Sequence, residues 1–532
     1  MATAEISTVI RHRAPSGEFR NEPFVDFSRE ENVRQMRDAF ARVADQLGQE
    51  YDIVIGGRRI RTEGKIQSLN PARPEQIVGV HQKAGAEHAE QAMQAALAAY
   101  ESWRIAPVEE RVSLLLNTAE LLRKRRLEFC AWLTYEVGKN WAEADVETAE
   151  AIDFLEFYAR EAVRLSQATT PIQYPGERNV LQYIPLGVGA VIPPWNFPLA
   201  IMAGMTVAAV VTGNTVILKP SSDSPTIAAR FFSLLEEAGM PPGVVNFCPG
   251  SGATFGNAIV EHPKTRFIAF TGSMEVGLDI NARAAQPRPG QIWIKRTILE
   301  MGGKDSILVE ADSDIDAAVA GVLQSAFGFS GQKCSACSRA IVEDSIYDVF
   351  VERLREGAQK ISVGNPVLNP AMGPVVNASA YQSMLRYIEI GRQEGRLIAG
   401  GAPIETAEKG YFIAPTIFSD IDPQARLSQE EIFGPILAVL RARNFEHALA
   451  IGKNTEYGLT GAIYTSSPEK MERAARDFHV GNLYFNRKCT GAMVGAHPFG
   501  GFNMSGTDSK AGGADYLYLF TQAKSIAEKI IR

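Results

Sequence analysis

A carboxylate and a thiol set close together point to covalent catalysis. Glu300 closes a short apolar run in Thr297-Ile-Leu-Glu-Met-Gly-Gly-Lys304, and Cys334 stands in Phe327-Gly-Phe-Ser-Gly-Gln-Lys-Cys-Ser-Ala-Cys-Ser-Arg339. A thiolate is a strong nucleophile near neutral pH and can form a covalent intermediate. A neighbouring carboxylate can act as general base on the water that later attacks that intermediate. A helix starting near Asp314 returns the chain past the strand that carries Glu300, so both side chains can reach one pocket. Spacing alone does not distinguish this pair from an inert buried thiol and a solvated acid, and Cys337 is a rival nucleophile.

The elements that would position the pair are those of a large α/β protein. The 532 residues suggest at least two lobes, and 45% hydrophobic and 22% charged residues are ordinary for a globular chain. A net charge of −7 argues against nucleic acid as a partner. Five scattered cysteines do not form a disulfide framework, so a reducing cytoplasm is expected. The opening Met1-Ala-Thr-Ala-Glu-Ile-Ser-Thr-Val-Ile10 carries an acid and lacks a long apolar core, and no apolar run of ~20 residues follows. Neither secretion nor a membrane span is expected.

Ser28-Arg-Glu-Glu31 has the form of a capping box, and Val33, Met36, Phe40, Val43 and Leu47 follow at helical spacing up to Gly48. Tyr51 to Gly57 reads as a strand and turn. Ala86 to Trp103 and Val108 to Phe157 read as helices, the second region interrupted near Gly138 and Lys139. Extended runs flanking Pro175-Gly-Glu-Arg-Asn179 predict a hairpin over Thr169 to Pro185. Short apolar runs then alternate with helices: Val188–Ile192, Thr215–Lys219, Val244–Cys248 and Arg266–Phe270. This alternation predicts a doubly wound parallel sheet with ligands at the carboxyl ends of its strands. A second alternation includes Ser306–Val309, Ala340–Val342, Leu397–Ala399, Ile436–Leu440 and Leu459–Tyr464. The strand-like tail from Tyr516 to Ile526 is placed to pair with the hairpin.

The wording of the two central segments adds to this. Leu299-Glu-Met-Gly-Gly-Lys304 and Gly331-Gln-Lys-Cys-Ser335 closely resemble the active-site signatures of the aldehyde dehydrogenase superfamily. The resemblance implies that Cys334 is the nucleophile, that Glu300 is the base, and that Cys337 is a packed thiol. Trp195-Asn-Phe-Pro198 matches the segment whose Asn, here Asn196, stabilises an oxyanion together with the backbone N–H of Cys334. Phe270-Thr-Gly-Ser-Met-Glu-Val-Gly277 follows a strand and opens a helix, where backbone N–H groups favour a phosphate. By resemblance it is a dinucleotide pyrophosphate site, with Gly272 and Ser273 nearest the phosphates. Lys219 matches a residue that binds the adenosine ribose. Ser222 stands where many relatives carry Glu, which puts strict NAD preference in doubt and admits NADP. Glu430-Glu-Ile-Phe-Gly-Pro435 resembles the nicotinamide-side signature, with Glu431 on the ribose and Phe433 packed beside it. No metal is implied.

Asn486-Arg-Lys-Cys-Thr-Gly-Ala-Met-Val-Gly-Ala-His-Pro-Phe-Gly-Gly501 narrows the likeness to the L-glutamate γ-semialdehyde (1-pyrroline-5-carboxylate) dehydrogenases of proline degradation. There the α-carboxylate of the substrate would meet Ser335 and the backbone N–H groups of Gly491 and Ala492. Phe197 and Phe499 would sandwich its aliphatic chain, and Glu150 would face its α-amino group. The alternatives are another semialdehyde dehydrogenase, such as one for succinate semialdehyde, or a thiol hydrolase or acyl transferase. The units expected are a cofactor domain (1–168 and 185–297), a catalytic domain (298–483), an oligomerisation flap and tail (169–184 and 508–532) and a substrate loop (484–507). The flap implies a homo-oligomer.

Overall fold

The computed structural model describes residues 13–167 and 170–530. The opening residues read above as lacking a leader, and Thr169 at the start of the expected hairpin, lie outside the described residues.

Among the described residues the first helix is α1 (Glu30–Ala44), which buries Met36, Phe40 and Val43 as their spacing requires. The expected capping box does not form. The helix begins one residue later, with Arg29 as its uncapped N-terminal flank, and the Ser28 hydroxyl turns back to Asp26. Four helices follow: α2 (Ala86–Trp103), α3 (Val108–Lys124), α4 (Arg126–Val137) and α5 (Trp141–Ser166). Gly138 ends α4 in the left-handed region at φ 75°, which an L side chain rarely adopts. Before α2, Lys65–Asn70 and Arg73–Gln82 pair antiparallel, and Gln49–Tyr51 joins the edge of that small sheet, which the sequence reading left out.

The first large sheet runs Arg296–Glu300, Phe267–Thr271, Val188–Ile192, Thr215–Leu218, Val245–Phe247, Ile53–Ile55 and Arg58–Ile60. Its first five strands are parallel, and Ile53–Ile55 joins antiparallel. In Val188–Ile192, Thr215–Leu218 and residues 267–270 the side chains are buried on both faces, which is why these strands read as apolar runs. Between them come α6 (Ala200–Val211), α7 (Pro225–Glu237), α8 (Asn257–Glu261) and α9 (Met274–Ala285).

The second sheet runs Arg396–Ala399, Thr416–Ser419, Ile436–Ala442, Arg339–Glu343, Ser306–Val309, Thr460–Tyr464 and Asn482–Phe485, parallel except for the first strand. The helix α10 (Ile315–Phe327), capped by Asp314, leads into the Cys334 loop. The expected boundary at 297/298 falls inside the strand Arg296–Glu300, which belongs to the first sheet; the crossover to the second sheet comes after Glu300. The boundary at 483/484 likewise cuts the strand Asn482–Phe485.

The expected hairpin is corrected. Glu177–Pro185 is a single strand, and its antiparallel partner is the tail strand Thr521–Lys529, in register from Thr521 opposite Pro185 to Lys529 opposite Glu177. Among the described residues, the turn before it, where Glu177 N–H donates to Tyr174 O, is preceded by no second strand. The pairing with the tail is as expected.

Candidate active site

Glu300 is the last residue of its strand, beside Thr271 at the carboxyl end of the first sheet. Its carbonyl accepts the Gly272 N–H at 3.1 Å, so the carboxylate and the glycine turn before α9 are structurally joined. Its carboxylate accepts Gly501 N–H at 3.2 Å, Ser509 N–H at 3.4 Å and the Ser509 hydroxyl at 2.5 Å. Burial pushes this carboxyl up to about 7, although the bonds from Ser509 and Gly501 and the charge of Lys510 oppose the rise. At neutral pH such an acid is poised to take a proton.

The Cys334 loop is unusual backbone. Phe329 and Ser330 lie at φ 50° and 56°. Outlying geometry of this kind persists only where the surroundings hold it. Here the Gln332 side chain bonds Phe329 O and Pro374 O and accepts Val376 N–H, while the Ser330 hydroxyl bonds Gly373 O at 2.8 Å. Cys334 is partly exposed, whereas Cys130, Cys248, Cys337 and Cys489 are buried. Burial, followed by the carboxylates of Asp305, Glu300 and Glu431, pushes the Cys334 thiol well up. A thiol so placed needs a base or an added positive charge to become thiolate.

Two cavities meet at this sulfur. The larger, about 690 Å³, is lined by Asn196, Lys219, Ser222, Gly272, Ser273, Cys334, Glu431 and Phe433. The smaller, about 130 Å³, is lined by Glu150, Phe197, Glu300, Cys334, Ser335, Gly491, Ala492 and Phe499. Every site residue expected from the sequence thus lines one cavity or the other, and Cys334 lines both.

The larger cavity fits a dinucleotide. The helix α9 opens onto it at Ser273, whose hydroxyl caps the helix by accepting Val276 N–H. Lys219 is buried, donates to Pro220 O at 3.2 Å, and is pushed down to about 8 by burial. Glu431 accepts Gly303 N–H at 3.0 Å, and burial pushes its carboxyl up to about 7. A Cβ on Gly302 would stand 2.1 Å from that carboxylate, so a larger residue here would displace the Glu431 side chain. Phe433, at φ 59°, sets its ring edge-on to Trp195 at 5.5 Å. Asn196 is buried and its amide donates to Gln332 O at 3.1 Å, which leaves the second N–H of that amide for another acceptor. Asp223 also lines this cavity, held by Asn377 at 3.1 Å. The sequence reading passed over it, although it stands beside Ser222.

The smaller cavity carries charges that the sequence reading did not pair. Glu143, Glu147 and Glu150 lie on one side of α5. Glu143 binds Lys333 at 2.7 Å, and Glu147 binds Lys139 at 2.6 Å. Burial works to raise Glu143, but Lys333 and Lys139 hold it below its usual value. Glu150 forms no ion pair among the described residues; burial, with the charge of Glu147, pushes it up to about 8. Ser335 is buried with its carbonyl accepting the Cys489 thiol, and Gly491 turns the neighbouring loop at φ 77°. Phe499 is fixed by reciprocal backbone bonds with Ala511 at 2.7 and 2.8 Å.

Comparison with known proteins gives the relatives of the chain. Residues 60–526 match the model of the Aldehyde dehydrogenase family. The chain is 54% identical over 511 residues to a 1-pyrroline-5-carboxylate dehydrogenase of Geobacillus thermodenitrificans, covering 96% of this chain and 99% of that one. A 1-pyrroline-5-carboxylate dehydrogenase 2 of Bacillus subtilis is 54% identical over the same coverage. The crystal structure of a 1-pyrroline-5-carboxylate dehydrogenase from Thermus with bound NAD superposes with a TM-score of 0.95 at 51% identity, covering 97% of this chain and 99% of that one. The chain belongs to the aldehyde dehydrogenase family.

Proposed function

We propose that the protein oxidises L-glutamate γ-semialdehyde, the open form of 1-pyrroline-5-carboxylate, to L-glutamate, the second step of proline degradation, with NAD as cofactor and NADP as a plausible second. The observation that carries the reading is the position of Cys334 between a cavity fit for a dinucleotide and one lined by acid-binding and aromatic groups.

In this reading the Cys334 thiolate adds to the aldehyde carbon, and Asn196 and the Cys334 N–H bond the oxyanion that forms. Such a donor contributes on the order of 2.7–4 kcal/mol to the barrier. Bound in the larger cavity, NAD supplies the hydride acceptor. The carbon is left as a thioester on Cys334. Glu300 takes a proton from water as the water oxygen attacks the thioester, which releases the acid and returns the Cys334 thiolate. Ser335 with the N–H groups of Gly491 and Ala492 receives the α-carboxylate, and Phe197 and Phe499 flank the chain. Glu150, the acid of the α5 series without an ion-pair partner, receives the ammonium. Succinate semialdehyde would need a free cation in this cavity, and Lys333 is engaged by Glu143.

No described helix is long and apolar enough to cross a membrane. The ribbon of half-buried Glu177–Pro185 and largely exposed Thr521–Lys529 suits a homo-oligomer, and the scattered free thiols suit the cytoplasm.

The test is NADH formation from glutamate semialdehyde by the wild type, Cys334→Ala and Cys337→Ala. Cys334→Ala should abolish turnover and keep NAD binding, and Cys337→Ala should stay active. The reverse pattern overturns the reading.

A further inference from the structure

Lys139 leaves the left-handed turn at Gly138 and enters the protein interior, where it and its partner Glu147 are both fully buried. A buried ion pair is weak evidence for stability, because desolvation offsets the attraction; its geometry says more about its use. The Lys139 ammonium lies 3.7 Å from the centroid of the Phe197 ring and 4.4 Å from that of Phe329. Phe197 follows Asn196 in the chain, and Phe329 belongs to the loop that presents Cys334. The two rings meet edge to face at 6.4 Å, so the cation sits against the contact between the loops. Glu147 acts on the same place from below: its second carboxylate oxygen accepts Leu199 N–H at 2.8 Å and Ala200 N–H at 3.3 Å, at the start of α6.

We infer that Lys139, paired with Glu147 at 2.6 Å, is a positioning residue that clamps the Asn196 loop to the Cys334 loop and so sets the oxyanion donor against the nucleophile. A cation attracts two ring faces at once, whereas an apolar side chain of equal length fills the space without that pull. Small misplacements at a reacting centre are costly: about 1 Å costs on the order of 100-fold in rate.

The inference rests on the proposed role of Asn196, and the test separates the two. Lys139→Met alone would strand the Glu147 charge, so the double variant Lys139→Met/Glu147→Gln is used; it removes both charges and keeps an acceptor for α6. We expect a Tm near that of the wild type and unchanged NAD affinity. We also expect kcat for propanal and for glutamate semialdehyde to fall by the same factor, about 10- to 100-fold, as for a lost donor geometry. Asn196→Ala should then cost much less in the double-variant background than in the wild type, because a donor already out of place has little left to lose. Wild-type kcat in the double variant, or an equal cost of Asn196→Ala in both backgrounds, overturns the inference. An Asn196→Ala enzyme with wild-type turnover overturns instead the role assigned to Asn196. If the double variant does not fold, Phe329→Leu, which keeps the ion pair and removes one ring, carries the same cycle with the same criteria.

Discussion

Replacing Ser509 with alanine should move the pH dependence of thioester hydrolysis upward while leaving its plateau in place. The Ser509 hydroxyl donates to Glu300 Oε1 and is foremost among the groups that hold this buried carboxyl down at about 7. A hydrogen bond to a charged group contributes roughly 1.5–3 kcal/mol, equivalent to about 1–2 pH units. The bond favours the charged base, so its loss raises the value at which Glu300 gives up its proton, to roughly 8–9. Only the deprotonated form can take a proton from water. At pH 7 the working fraction therefore falls from about one half to between ~1 and ~10%, a loss of roughly 5- to 50-fold; by pH 9 it recovers to within about twofold. The assay is the steady-state rate that follows the NADH burst, measured from about pH 6 to 9.5, a range that brackets both values. An acid limb that stays in place would refute the reasoning by showing that the hydroxyl does not bond the charged form. A limb that moves downward would mean that it bonds the protonated acid.

Glu300→Gln should preserve a rapid burst of NADH and slow the turnover that follows; a lost burst would place Glu300 before hydride transfer. NADP should be used measurably, and Ser222→Glu should raise the NAD to NADP ratio of kcat/KM; an unchanged ratio would put recognition of the ribose elsewhere, with Asp223 the next residue to test. Ser335→Ala should lower kcat/KM for glutamate semialdehyde roughly 10- to 150-fold, the loss of one bond to a charge, and spare propanal, which has no acid to bind. Equal impairment of both aldehydes would make Ser335 a support for Cys334.

What the sequence disclosed follows from how locally each feature is encoded. The parallel strands were legible because burial on both faces writes them as apolar runs, as at Val188–Ile192. The residues given the proposed chemistry stood out because Glu300, Cys334 and Asn196 lie in segments that resemble family signatures. Glu177–Pro185 was misread because an extended, half-buried strand looks the same whether its partner is adjacent or distant, and its partner is the tail. Thr416–Ser419 was passed over because its polar ends cut the apolar run to Ile417-Phe418. Ser509 lies 209 residues from the carboxylate it bonds, and nothing local marks it. The acids of α5 are the sharper case. Glu143, Glu147 and Glu150 stand at helical spacing, and that pattern alone equally describes a solvated face. What separates them is supplied by other elements: Lys333 from the nucleophile loop engages Glu143, and Lys139 from the α4–α5 break engages Glu147. Glu150 is left without an ion pair among the described residues, so the role proposed for it toward the substrate ammonium is a property of tertiary pairing, decided by which acids the fold has already satisfied.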